Sequence, residues 1–333
     1  MAFTYRNKIF ILLGLCGALL LAYILTFVFD PENSAARQSL WTALDPKLKD
    51  EAQQIELDGE EKVELRRDKG RWFVNFEDAL YPARQDKISD MLNTLSQRAA
   101  YPVRSRSEAA QEKLLLTGSE ARRIRINGED GAILDLLVGA PDATLKEVYI
   151  RLSGSKEIRS GADVFSPLFG SRQSWYDLRL FPEHDAEGLT ASSIQRVIAQ
   201  PPRETPIAAN VEDVPDALPT EAFTLVRSGG GWKIENSDEI IDPRSVEAYL
   251  RGILNCEAND FTSALRANDP AFTLSSEIAG RLVLETGDGL RRIISIGPSF
   301  ADKRCAAVSG SPYVYLLMEW QLNQIFEKPL AIK

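Results

Sequence analysis

The sequence predicts an α+β protein in which an N-terminal transmembrane helix precedes two tandem copies of an antiparallel sheet-plus-helix domain. Three observations lead to this prediction: an unbroken apolar run near the start, a pattern that repeats about 160 residues later, and runs of strands separated by short turns. Short turns between successive strands favour antiparallel pairing, with the helices packed on the sheet.

The first predicted element is a membrane anchor at residues 9–29, a run that contains no charged side chain. As a helix it would span about 31 Å, close to the hydrocarbon thickness of a bilayer. Arg6 and Lys8 precede the run, and basic flanks stay in the cytoplasm. We therefore expect an uncleaved, single-pass anchor in the inner membrane, with residues 1–8 in the cytoplasm and the rest of the chain in the periplasm.

Small residues recur along this run at Gly14, Ala18 and Ala22, one every four residues. Such a stripe lies on one face of a helix and lets transmembrane helices approach closely. One hypothesis is that this face packs against a polytopic membrane partner. The alternative is ordinary apolar composition, since alanine and glycine are common in membrane helices.

Beyond the anchor, the chain repeats itself. Residues 63–74, VELRRDKGRWFV, resemble residues 223–234, FTLVRSGGGWKI, and both segments are typical of two strands joined by a tight turn. A helical stripe follows in each half, at a spacing of 158 residues. The apolar positions of the two stripes are Ile88, Met91, Leu92 and Leu95, and Val246, Tyr249, Leu250 and Ile253. In the second copy, Asp242-Pro243 predicts the start of the helix.

The same spacing continues through a predicted hairpin, where residues 136–139 correspond to residues 294–297. Asn127-Gly128 and Asp288-Gly289 are the residue pairs that tight hairpin turns prefer. A fixed spacing that persists from helix through hairpin indicates a tandem duplication.

The domain organisation follows from this repeat. Residues 194–199 are predicted to supply the first strand of the second copy, and each copy is expected to end in a helix, at residues 163–169 and 315–327. The predicted regions are a cytoplasmic N-terminus 1–8, the anchor 9–29, a juxtamembrane segment 30–50, a first α+β repeat 51–183, and a second α+β repeat 190–333 with a Pro-rich insertion 201–221.

Charge and motifs exclude several classes of function. The formal net charge of −9 argues against nucleic acid as a partner, because such binding needs a basic surface. His184 is the single histidine and is expected in a solvated loop, and no phosphate-binding G-x-x-x-x-G-K-[ST] or nucleophile G-x-S-x-G motif occurs. Ser153-Gly-Ser-Lys156 fits a penicillin-binding motif but is typical of a turn here. We therefore predict no catalytic residues, no cofactor and no metal site.

Cys256 and Cys305 are the two cysteines outside the anchor. In an exported body they would meet an oxidising environment, in which they could form a single disulfide. The alternative interpretation is that both are small buried hydrophobic residues.

These features resemble the bacterial family catalogued as domain of unknown function 4340. The resemblance is carried by the Trp72-Phe-Val strand, the helix at residues 88–95, the strand that ends at Gly139, the Val148-Tyr-Ile strand and residues 175–179, WYDLR. It implies a membrane-anchored extracytoplasmic protein associated with ABC-type export systems of the gliding-motility kind. It supplies no catalytic or binding residues.

The expected function is that of a non-catalytic, extracytoplasmic accessory or scaffold subunit. Its expected partners are the inner membrane and the polytopic membrane subunit and ATPase of an export complex. The leading alternative is an extracytoplasmic ligand-binding protein that uses the cleft between the two repeats. A hydrolase that uses carboxylates is the third and least favoured class.

Overall fold

The structure, a computed structural model, describes residues 17–20, 23, 40–202, 221–237, 239–272, 280–300 and 302–331. Most of the predicted anchor and nearly all of the Pro-rich insertion lie outside the described residues. The described residues of the anchor run are helical. Among the residues that the structure describes, no helix is both long enough and apolar enough to cross a bilayer.

The chain divides into two compact units, Met1–Trp175 and Tyr176–Lys333. Within the described residues, each unit contains one sheet of nine strands, and every pairing in both sheets is antiparallel. Short helices accompany each sheet. The predicted α+β class, with two large antiparallel sheets, is therefore confirmed.

Beyond the anchor run, the described part of unit 1 contains eleven strands and two α-helices. The strands are β1 Leu40–Trp41, β2 Gln54–Asp58, β3 Lys62–Asp68, β4 Arg71–Phe76, β5 Ala79–Pro82, β6 Ala99–Ala100, β7 Val103–Ser105, β8 Arg122–Gly128, β9 Gly131–Pro141, β10 Glu147–Leu152 and β11 Ile158–Ala162. The helices are α1 Gln85–Ser96 and α2 Glu108–Lys113. β1 and β6 form a separate small pair.

Unit 2 contains nine described strands and two α-helices. The strands are β12 Ile194–Gln200, β13 Phe223–Ser228, β14 Gly231–Ile234, β15 Ile240–Ile241, β16 Asp260–Thr262, β17 Gly280–Thr286, β18 Arg291–Phe300, β19 Lys303–Val308 and β20 Val314–Leu317. The helices are α3 Pro243–Leu254 and α4 Glu319–Phe326. The predicted strand at residues 194–199 is confirmed as β12.

Both nine-stranded sheets have the same strand order. The order in unit 1 is β5-β4-β3-β2-β8-β9-β10-β11-β7, and the order in unit 2 is β15-β14-β13-β12-β17-β18-β19-β20-β16. In each unit the first long strand therefore lies inside the sheet, the next three build one side of it, and the chain returns through a helix to build the other side.

Helices α1 and α3 form where the apolar periodicity predicts them. Ile88, Met91, Leu92 and Leu95 are buried on α1, and Val246, Leu250 and Ile253 are buried on α3. The side chain of Asp242 accepts a hydrogen bond from the Arg244 amide at the start of α3, which confirms the predicted N-cap. Helix α1 has no side-chain cap. The two helices contact β4 and β14, so that the apolar stripe of each helix faces its own sheet.

Three predicted local features differ from the structure. Val314–Leu317 is strand β20, buried at every position, and the closing helix begins at Glu319. Residues 166–168 form a 3₁₀ turn instead of an α-helix. A continuous apolar run does not distinguish a buried strand from a buried helix.

In the first hairpin, a register shift after Ile126 moves the turn to Glu129-Asp130. In the second hairpin, Asp288-Gly289 lies in the connection as predicted.

Candidate functional site

The residues of the predicted membrane-packing stripe are only partly within the described chain. Ala18 is helical and exposed. Gly14 and Ala22 lie outside the described residues. The packing hypothesis therefore stays a prediction.

Cys256 and Cys305 are both free and buried in the structure. Burial raises the pKa of the Cys256 thiol to about 11, with a further contribution from the charge of Glu257. Burial also raises the pKa of the Cys305 thiol. A raised pKa keeps a thiol protonated and unreactive at neutral pH, because the thiolate is the nucleophile. Both cysteines behave here as small buried hydrophobic residues.

His184 differs from the predicted solvated histidine. Its side chain is only 19% exposed, and Nδ1 lies 3.1 Å from the carbonyl oxygen of Leu189. Asp185 Oδ1 lies 3.3 Å from the same nitrogen. These contacts hold the ring against its own loop, where it closes a turn. Ser153-Gly-Ser-Lys156 lies in the turn between β10 and β11, as predicted.

Trp72 and Trp232 occupy equivalent buried positions in the two sheets. Trp72 pairs across the strands with Arg67, and Trp232 pairs with Arg227. The guanidinium carbon lies 6.0 Å from the ring centroid in unit 1 and 5.1 Å in unit 2. Each tryptophan therefore packs in the core and has a cation over its ring, a contact that stabilises the hairpin.

The described part of the chain contains no group of three or more histidine, cysteine, aspartate or glutamate side chains arranged to hold a metal ion. Several acidic residues of the first sheet form ion pairs with neighbouring arginines. Arg125, for example, donates to Glu56 over 2.8 Å and to Asp58 over 2.9 Å.

Unit 1 has a hollow of about 520 Å³, lined in part by Asp58, Arg122, Gly139 and Ser166. The Arg122 guanidinium donates to the carbonyl oxygen of Gly139 over 3.2 Å and to Ser166 Oγ over 2.9 Å. Asp58 is paired with Arg125. The cation and this carboxylate of the hollow already have partners within the protein.

Unit 2 has a larger hollow of about 810 Å³, which we call the unit 2 hollow. It is defined by Arg266, Phe272, Arg281, Ile293, Ser295 and Ala307, together with the turn at residues 309–312. Arg281 pairs across the strands with Ser295, and Ser295 pairs with Ala307. Residues that pair directly across strands share a sheet face. Three neighbouring strands therefore form its floor.

The walls of the unit 2 hollow combine an apolar cluster with two cations. Phe272 packs with Cys305, Ala307 and other buried apolar side chains. Arg266 and Arg281 carry positive charge, and no aspartate or glutamate is among the described residues that line the hollow. Arg281 Nε is buried without a hydrogen-bond partner in the described part of the chain. This arrangement suits an anionic group attached to an apolar body.

No sequence pattern identifies the residues of the unit 2 hollow. Arg281, Ser295 and Ala307 lie on three different strands, and no sequence spacing links them. A signal was nevertheless present in the repeat. At the 158-residue spacing Ile293 corresponds to Asp135, so that an acidic residue of the first copy has an apolar counterpart in the second.

The chain matches the family described as domain of unknown function (DUF4340) over residues 72–276. The match covers more than half of the chain, and the protein belongs to this family. No curated protein matches the chain, and no solved structure matches it either.

Proposed function

We propose that the protein is a non-catalytic accessory subunit that displays two copies of one α+β unit outside the inner membrane. Residues 9–29 would anchor it, with the N-terminus in the cytoplasm and the body in the periplasm. Its partners would be the polytopic membrane subunit and the ATPase of an ABC-type export complex of the gliding-motility kind. The observation that carries the proposal is a 21-residue apolar run ahead of two complete sheet units.

The described residues of the apolar run support an anchor role. Leu19 and Leu20 expose 63% and 62% of their surface. Large exposed apolar side chains in a helix are typical of a surface that meets lipid or another protein. The basic residues ahead of the run favour retention of the N-terminus in the cytoplasm.

A scaffold role is supported by the causes of the displaced pKa values in the two units. The Arg123 hydrogen bond lowers the pKa of Asp135. Burial raises the pKa of Tyr249, whose hydroxyl donates to the Ile325 carbonyl oxygen over 2.7 Å. Ion pairing and core burial account for both displacements, and such structural causes are an alternative to catalysis.

Affinity purification of the full-length chain from crosslinked native membranes tests the partnership. We expect a polytopic membrane protein and an ATPase to be recovered in fixed ratio with it. A reporter fused to the C-terminus should be active outside the cytoplasm. Recovery of the chain without either partner, or a cytoplasmic C-terminus, would contradict the proposal.

The small-residue stripe provides a sharper variant. Ala18→Leu places a bulky side chain on the stripe and should reduce recovery of the polytopic partner by about half or more, because close helix approach is blocked. Leu20→Phe is the matched control, since Leu20 lies about 200° around the helix from Ala18. Equal recovery of the polytopic partner with the two variants would show that the stripe is not part of the proposed interface.

A further inference from the structure

The two copies present different side chains at the same positions of the sheet. In each unit, three directly paired residues on neighbouring strands form a row on one sheet face. The row in unit 1 is Arg123, Leu137 and Arg151, and the row in unit 2 is Arg281, Ser295 and Ala307. The arginine on the first strand is retained, and the other two side chains are replaced by small ones.

The backbone next to the two rows is the same. In unit 1 the Ser153 amide donates to the carbonyl oxygen of Asp135 over 2.9 Å. In unit 2 the Ser309 amide donates to the carbonyl oxygen of Ile293 over 2.8 Å. Asp135 and Ile293 therefore occupy equivalent positions. The two sites differ in their side chains and not in their backbone pairing.

In unit 1 the site is filled by its own charged side chains. Arg123 Nε donates to Asp135 Oδ1 over 2.6 Å. The Arg151 guanidinium donates to the carbonyl oxygens of Ser153 over 3.1 Å, Ser155 over 3.0 Å and Leu116 over 3.0 Å. The terminal nitrogens of both guanidinium groups therefore have acceptors, although the buried Arg151 Nε has none among the described residues, and Arg151 occupies the space above the turn.

In unit 2 the equivalent positions carry neither the carboxylate nor the second guanidinium group that fill the site in unit 1. Ile293 stands where unit 1 has Asp135, and Ala307 stands where unit 1 has Arg151. Arg281 consequently has no carboxylate beside it among the described residues, and its buried Nε has no hydrogen-bond partner there. A buried donor without an acceptor is unfavourable. A ligand that brings an anionic acceptor would remove this cost.

We propose that the unit 2 hollow binds a small organic carboxylate. The carboxylate would contact Arg281 as Asp135 contacts Arg123 in unit 1, since a guanidinium group accepts a carboxylate in a planar, two-bond geometry. The apolar body of the ligand would pack on Phe272 and Ala307. Arg266 adds a second positive charge, and the volume of about 810 Å³ is typical of small-molecule sites.

Isothermal titration calorimetry on the full-length chain in lipid nanodiscs tests the proposal. Hexanoate is the probe, hexylamine is a cation of the same length, and inorganic phosphate is an anion without an apolar body. We expect hexanoate to bind once per chain, and the other two compounds to bind at least about tenfold more weakly. Empty nanodiscs provide the background.

Two variants locate the binding. Arg281→Gln should weaken hexanoate binding by about tenfold or more, because it removes the charge-assisted hydrogen bonds. Arg291→Gln is the matched control, since Arg291 lies on β18 and pairs with Glu285 over 3.2 Å outside the hollow. The affinity of this variant for hexanoate should stay within about twofold of that of the original chain. Ile293→Asp supplies the carboxylate of unit 1 and should abolish binding while the melting temperature is kept or raised.

Four outcomes would overturn the proposal. They are an absence of hexanoate binding, equal binding of hexylamine, phosphate binding as tight as that of hexanoate, and unchanged hexanoate binding by a folded Ile293→Asp variant. Because Ile293→Asp is expected to fold at least as well as the original chain, its result does not depend on whether Arg281→Gln is stable.

Discussion

At the level of single residues, Gly139 in β9 lies in close contact with the segment after α2. A side chain at this position would collide with the Leu114 carbonyl oxygen and would lie 3.0 Å from the Leu116 side chain. The Ala140 amide donates to the same carbonyl oxygen over 2.9 Å, which fixes the backbone in place. The position therefore requires glycine for lack of space.

Gly139→Ala should accordingly lower the free energy of unfolding by about 2 to 3 kcal/mol, as is typical of overpacking against a fixed backbone. Urea denaturation measures the change. Gly154→Ala is the control, because a methyl group there meets no atom within 4 Å; it should change stability by less than about 0.5 kcal/mol. Equal stability of the two variants would contradict the packing argument.

Asp135 provides a pH-dependent prediction. The hydrogen bond from Arg123 lowers the pKa of Asp135 below its ordinary value of 3.8. The ion pair therefore stabilises the folded state fully above the ordinary pKa, and this contribution is lost as the pH falls through the lowered value. Asp135→Asn should cost about 1 kcal/mol at pH 7. The difference from the original chain should narrow between about pH 5 and pH 2 in urea denaturation series; a difference independent of pH would exclude the pair as its source.

At the level of elements, the predictable parts of the fold are those with a clear periodicity. Helices α1 and α3 bury a stripe of period 3.6 on one face, and Asp242 caps α3 by accepting a hydrogen bond from the Arg244 amide. The sequence of β20 predicts a helix because all four of its side chains are apolar and buried, so that the alternation that identifies a strand is absent. Periodicity in a sequence identifies an element that buries one face, whereas β20 buries both of its faces.

The unit 2 hollow could not be predicted from the sequence for a different reason. Its floor combines β17, β18 and β19, and the cross-strand register brings Arg281, Ser295 and Ala307 together. Register depends on the turns and on the whole sheet, so that no local pattern reveals it. Aligning the two copies position by position would have shown the lost Asp135 carboxylate, although not the cavity that accompanies it.

The cap of helix α3 gives a prediction at this scale. Asp242→Ala removes the side-chain acceptor for the Arg244 amide and should reduce the free energy of unfolding by about 1 kcal/mol. Ser107→Ala is the matched control, because Ser107 is at the N-cap position of α2 without a side-chain cap bond. Thermal unfolding by circular dichroism compares the two variants. A similar loss in both would show that the cap bond itself is not the cause.

At the level of the whole molecule, each unit has its own sheet and its own buried core. Phe165 and Trp175, near the end of unit 1, are among its most completely buried side chains. The Arg84 amide donates to the Trp175 carbonyl oxygen over 2.9 Å, which ties the end of the unit to the start of α1. A compact unit with a complete core is expected to fold on its own.

A fragment of residues 40–175 should therefore unfold cooperatively in urea, with the circular dichroism of a mixed α+β protein. A fragment of residues 40–162 is the control. It lacks both Phe165 and Trp175 and should lose several kcal/mol, enough to abolish cooperative unfolding. If the longer fragment also lacks a cooperative transition, unit 1 needs the rest of the chain to fold.

The outermost strands of the two sheets are short, and this has a consequence for biosynthesis. β5 has four residues, β7 and β16 have three each, and β15 has two. When two similar sheets are synthesised one after the other, a strand of the second sheet can pair wrongly with an edge strand of the first. Edge strands this short offer few free amide and carbonyl groups to an incoming strand. Each sheet is therefore favoured to form from strands of its own unit.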